Sequence, residues 1–235
     1  MTRRQLLRLV SYSLLGILAV FLLILYSLYL SAQRAPRFYR DALTVSGEMQ
    51  GLRNKEMLRK VRNFSNDIQK TDQPWQGVFT IDELNAYLAT EVAKKDSNLF
   101  PKEVSEPRLS IFGRRIDFAC RLKRNDFSGI LHLAFGVSLP EPNRLTLRIR
   151  EARLGRIPIS RDLPEGILFD ALEKGGYGPV RGTEAGDPTI TVSLKLDLYK
   201  GKSVLLESLE MGDGAVRLSG QTLRSKEQSK DEKTE

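Results

Sequence analysis

One cysteine, one histidine and one tryptophan in 235 residues leave little of the usual equipment for catalysis or metal binding. A lone Cys120 cannot close an internal disulfide. It lies in an alternating apolar run, where it reads as a small buried hydrophobe. One histidine with one cysteine cannot assemble the usual zinc sites. A Ser-His-Asp triad would have to use His132, and no nucleophile motif accompanies it. Its phase, opposite to Leu131 and Leu133, makes it a partly exposed strand residue. The P-loop and dinucleotide glycine patterns are absent too, since Gly175-Gly-Tyr-Gly178 follows a helical pattern instead of opening one. Asp117, Glu141, Glu151, Glu165, Asp170 and Asp187 are scattered without pairing, and a solvated position is expected for each. The sequence therefore offers no catalytic, cofactor or metal residues, and a non-enzymatic protein is expected.

What is present first is an apolar run. Leu9 to Gln33 spans 25 residues without a charge, and a helix needs about 20 to cross a hydrocarbon core. A cleaved signal peptide has a shorter run and a small-residue cleavage site, which Tyr29-Leu-Ser-Ala-Gln33 matches poorly. A buried core helix would show a polar face, and Leu14 to Leu25 shows none. Tyr12, Tyr26 and Tyr29 fall near the two ends, at headgroup level. The expectation is an uncleaved single-pass signal anchor with its N-terminus in the cytoplasm and an exported domain, although Arg3, Arg4 and Arg8 before the span are matched by Arg34, Arg37 and Arg40 after it. Those six arginines carry most of the net charge of +8, leaving 31 basic against 29 acidic residues elsewhere. Basicity thus belongs to the anchor. Arg34, Arg37 and Arg40 read as lipid headgroup contacts, and no nucleic-acid surface is expected. Arg114-Arg115 and Arg121-Leu-Lys-Arg124 would reach headgroups if the sheet edge faced the membrane, and are ordinary surface charge otherwise.

The chain divides into a basic tail (1–8), the transmembrane helix (9–33), a juxtamembrane helical linker (34–70), an α+β domain (71–222) and a disordered charged tail (223–235). In the linker, Gly47 and Gly51 interrupt residues 34–50, and Met57, Val61, Phe64 and Ile68 then form one narrow stripe on a charged helix. That stripe suits docking on the domain better than a coiled coil. Thr80 with Glu83 makes a capping box that opens a helix with Ile81, Leu84, Leu88 and Val92 on one face, and Asn85 beside them as a candidate buried hydrogen-bonding residue.

From residue 107 the period changes to two. Ile116 to Leu122, Leu131 to Val137, Leu145 to Ile149 and Ile190 to Leu198 each read as strands with one buried face. A last hairpin turns at Gly212-Asp-Gly214. A helix between them starts near Pro164 and ends at Gly175-Gly176. The fold class is α+β: an N-terminal transmembrane helix, then a curved antiparallel sheet of five to seven strands with helices packed on one side.

The order of features is suggestive: the anchor, Pro36, Tyr39, Trp75, Phe79, the box Thr80-Ile-Asp-Glu-Leu-Asn85-Ala-Tyr-Leu88, Pro101, Pro107-Arg108, Pro142-Asn143, Leu154-Gly-Arg-Ile-Pro158 and Met211-Gly-Asp-Gly214. This series resembles a group of planctomycete-type membrane-anchored proteins of unknown function. The helix opening followed by Asn also resembles the YpmS-like and LmeA-like families, whose exported domains are similar to tubular lipid-binding folds. That resemblance implies no catalytic residues. It implies an apolar groove between sheet and helix, with Leu84, Leu88, Phe118, Leu133, Phe135, Leu147, Ile157 and Leu168 as candidate lining, and a lipid or other apolar ligand as partner. Packed core is the ordinary alternative for all eight. The competing function is a structural or adaptor module that recruits another envelope protein by a sheet edge or the stalk.

Overall fold

The computed structural model describes residues 3–70, 72–91, 103–124, 127–194 and 202–224. In chain order these form α1 (Arg3–Ala32), α2 (Arg37–Leu43), α3 (Gly47–Ile68), β1 (Pro74–Thr80), α4 (Ile81–Glu91), β2 (Val104–Phe112), β3 (Arg115–Arg124), β4 (Phe127–Glu141), β5 (Arg144–Leu154), β6 (Ile157–Pro158), α5 (Asp162–Lys174), β7 (Val180–Glu184), β8 (Asp187–Ser193), β9 (Lys202–Gly212) and β10 (Ala215–Arg224). The expected helical position of Val92, strand positions of Leu196 and Leu198, and tail beyond Arg224 lie outside the described residues. The chain is α+β, with an N-terminal apolar helix and antiparallel sheets. Leu15–Ala32 of α1 is long and apolar enough to cross a membrane.

Two sheets form where one was expected. The main sheet runs β2-β3-β4-β5-β8-β7, with β6 folded back on β5, and a small sheet runs β1-β10-β9. β1 is a strand the periodicity does not announce. It pairs antiparallel with β10, from Pro74 opposite Gln221 to Thr80 opposite Ala215. The β9–β10 hairpin turns as expected at Asp213 and Gly214, with φ of 51° and 68°, the positive values a type I′ turn requires. The linker is also more ordered than its glycines suggest. Residues 34–50 hold α2 and the start of α3, whose first turn is capped by the Ser46 hydroxyl accepting from Met49 N–H.

α3 docks on the domain. Phe64 stands edge-on to Trp75 and to Phe79, with ring centroids 5.4 and 5.5 Å apart, while Val61 of the same stripe stays exposed. The capping box forms as read: Glu83 accepts from Thr80 N–H at 2.9 Å, and Thr80 Oγ1 accepts from Glu83 N–H. Lys60 of α3 adds an ion pair to Glu83 at 2.5 Å, so the box also ties two helices together. Burial alone would push the Glu83 carboxyl up; the bonds from Lys60 and Thr80 outweigh it and hold the group below the ordinary carboxylate range.

Two asparagines close sheet edges that would otherwise offer unpaired backbone groups. Asn85 of α4 donates to the Leu109 carbonyl and accepts from Leu109 N–H, at 2.9 and 2.7 Å, so α4 covers the β2 edge. Asn143, in the β4–β5 turn with φ 59°, donates to the Val204 carbonyl and accepts from Leu206 N–H. Its own N–H reaches the Leu206 carbonyl. This latch joins the two sheets at one end, where Leu139 and Leu194 pack on Trp75, Val204 and Leu206. Asn143→Ala should cost about 3 kcal/mol in chemical denaturation, from two lost bonds and groups left unpaired. Asn143→Gly relieves the positive φ and should lose measurably less.

Candidate functional site

Registration decides which side chains share a face of the main sheet, because directly opposed residues of antiparallel strands point the same way. Phe118 opposes Leu133, Ile116 opposes Phe135, Val137 opposes Leu147, and Leu147 opposes Ile190. Leu154 opposes Ile157 on β6. One face is thus apolar across five strands. Five of the eight lining candidates, Phe118, Leu133, Phe135, Leu147 and Ile157, fall on it. Leu84 and Leu88 stand on α4 and Leu168 on α5. All eight are half-buried, as are Ile116, Leu131, Val137 and Leu145.

The buried residues of β4 lie on the other face, which corrects the expected strand phase. Ile130, His132, Ala134 and Gly136 are buried, and Leu131, Leu133, Phe135 and Val137 are not. The cause is α2. Tyr39, fully buried, packs against Ala119 and Ile130, and the Phe38 ring tilts over His132 with centroids 5.8 Å apart. His132 is therefore 9% exposed, not a partly exposed strand residue. Further along, a bulge between Ala134 and Phe135 brings the Arg150 guanidinium over Gly136. Small residues on this face let a helix and long cations approach closely.

His132 Nε2 lies 2.9 Å from Asp117 Oδ1, and Arg115 binds the same carboxylate through two nitrogens. Arg115 also reaches Glu151, which pairs with Arg153. Asp117 and Glu151 are thus set in a partly buried ion network, not solvated as expected. Burial raises the Asp117 carboxyl, but hydrogen bonds from His132 and Arg115 outweigh it and place the group below the ordinary range. A depressed carboxyl contributes stability at pH values above its unfolded value of about 3.9 and loses it as pH falls through the folded one. Asp117→Asn should therefore cost about 2 kcal/mol at neutral pH and unfold with a shallower acid limb in a pH-resolved melt. Among the described residues His132 makes no hydrogen bond to a serine, threonine or cysteine, and no group of three or more His, Cys, Asp or Glu is placed to hold a metal. Cys120, on the apolar face, is fully buried, and burial pushes its thiol up to about 12.

The remaining geometry concerns where α1 meets the domain. Ser31 at its C-terminus accepts from Arg156 N–H at 3.0 Å, and Gly155 N–H donates to the Ile130 carbonyl at 2.6 Å. Gly155 has φ +60°, and a Cβ there would run into the Ser31 and Ala32 backbone. α1 thus abuts the β5–β6 turn, at the end of the main sheet that also carries the β3–β4 hairpin. The small sheet sits at the opposite end. A cleft of about 20 Å³ between α2, α3, α4 and β2, lined by Ala42, Val45, Asp82, Asn85 and Arg108 among others, has room for about one water and lies off the apolar face.

Compared with known proteins, the chain matches no family model, no curated protein and no solved structure.

Proposed function

We propose that this is a non-enzymatic, single-pass, membrane-tethered protein of a bacterial cell envelope that holds a lipid acyl chain against the apolar face of its main sheet. The N-terminus lies in the cytoplasm and the domain outside it, in keeping with the basic tail ahead of the apolar run. The observation that carries the reading is the row of large half-buried apolar side chains, with Leu133, Phe135 and Leu147 at its centre, beginning beside the turn that receives α1. A half-buried apolar row of this kind suits an apolar ligand, since such sites are lined mainly by hydrophobic and aromatic side chains. The bilayer is the nearest source of apolar chains. The acyl chain would lie along this face, and a curved sheet would form a trough for it.

Native mass spectrometry of the full chain, extracted from a lipid-containing host in mild detergent, tests this. Stoichiometric lipid that survives extraction and is lost in Leu133→Trp, which fills the face, is the expected result. A lipid-free mass that stays lipid-free when phospholipid is added back would sink the reading.

A different feature favours an adaptor role. β7 is an edge strand with all five residues exposed, Val180 among them, and Leu163, Ile167 and Tyr177 are exposed near it. An open edge beside apolar side chains suits strand addition by a partner. The lipid-free outcome above would leave this as the better reading.

A further inference from the structure

We propose that the end of the main sheet bearing the β3–β4 hairpin and the β5–β6 turn is a rim that binds the phosphates of anionic phospholipids around the emerging anchor. Ser31 follows Leu30, the last large apolar residue of α1, by a single residue, about 1.5 Å along the helix axis. Because the Ser31 carbonyl is bonded to Arg156 N–H, that turn stands where the chain leaves hydrocarbon, however the rest of the domain leans. Phe127 is held at the same place. A Cβ on Gly129 would meet both its ring and the Leu154 side chain, so the ring sits one residue from Gly155, and it is 39% exposed.

Around this point stand four exposed cations: Arg34, Arg40, Lys123 and Arg156. Arg40 adjoins Tyr39, which packs on Ile130, the residue whose carbonyl receives Gly155 N–H. None of the four makes an ion pair among the described residues. The other cations on this sheet are largely spent on acids: Arg115 on Asp117, Arg121 on Glu106, Arg148 on Asp187 and Arg153 on Glu151. Arg37, beside the rim, pairs with Asp41. Unpaired cations at headgroup height attract an anionic leaflet, and an exposed ring among them sits where aromatic side chains enter the interface. The rim stands whether or not a chain occupies the apolar face, because none of its four cations lies on that face.

The test uses the full chain in nanodiscs of mixed phosphatidylcholine and phosphatidylglycerol, with retained lipids counted by native mass spectrometry. Phosphatidylglycerol enriched several-fold over its share of the disc is expected for the parent. That enrichment should fall to the disc ratio in the triple variant Arg40→Gln, Lys123→Gln, Arg156→Gln. It should persist in Arg62→Gln, Arg114→Gln, Arg217→Gln, which removes as many cations away from the rim. No enrichment in the parent, or equal loss in both triples, overturns the proposal. A spin label on Phe127→Cys gives an independent readout. Headgroup depth supports the rim, and aqueous accessibility equal to that of a label on Asp213→Cys, in the turn of the small sheet, would contradict it.

Discussion

Replacing Gly155 by valine should unseat the anchor from the domain. Two costs add at this position. The backbone is left-handed, at φ +60°, which costs an L-residue about 1–2 kcal/mol. The new side chain also runs into the main chain of Ser31 and Ala32, atoms that cannot rotate away as a flexible side chain would. Overpacking against such obstacles costs about 1–3 kcal/mol, so the expected loss is about 3 kcal/mol. It should appear as faster hydrogen exchange at Arg156 and through α2, and as protease cutting near Pro36. Gly186→Ala separates the two costs: its φ is +80° with nothing within 4 Å of the added carbon. It should show the conformational penalty alone and leave α2 protected.

Tyr39→Ala should be as severe, for a different reason. Tyr39 is fully buried between α2 and the sheet, and truncating a buried aromatic costs about 3–5 kcal/mol. The phenol's bond to Glu106 is long, at 3.4 Å, and burial pushes its pKa up, so packing outweighs polarity here. Tyr39→Phe should therefore stay within about 1 kcal/mol of the parent. In Tyr39→Ala, α2 should lift from Ala119 and Ile130 and expose His132, seen as exchange at β3 and β4 amides. A Tyr39→Phe as damaging as the alanine would show that the hydroxyl, not the ring, seats α2.

These two positions also show where the sequence was legible. α1, the capping box at Thr80 and Glu83, and the turn at Asp213-Gly214 were all readable because each is fixed by neighbours in sequence. The pairing of β1 with β10 was not, because Trp75 and Gly220 meet only across the whole fold. The phase of β4 misled for a physical reason. Leu131, Leu133, Phe135 and Val137 look like the buried side, since large apolar residues are buried by default. His132, Ala134 and Gly136 between them are buried instead, because α2 and the Arg150 side chain lie over that face. His132 and Asp117 were misplaced with them. Asn85 could be suspected from its place beside an apolar stripe, whereas Asn143 carried no signal beyond its turn. The lining candidates came from a resemblance, and five of them share a face because the register aligns them.

Phospholipid with a photoactivatable diazirine near the acyl terminus, incorporated into vesicles with the full chain, tests the central claim most directly. After illumination, cross-links on β3, β4 and β5 peptides containing Leu133 and Leu147, competed away by unlabelled lipid, are the expected result. Cross-links confined to α1 would show that the acyl chains never leave the bilayer for the sheet, and would contradict it.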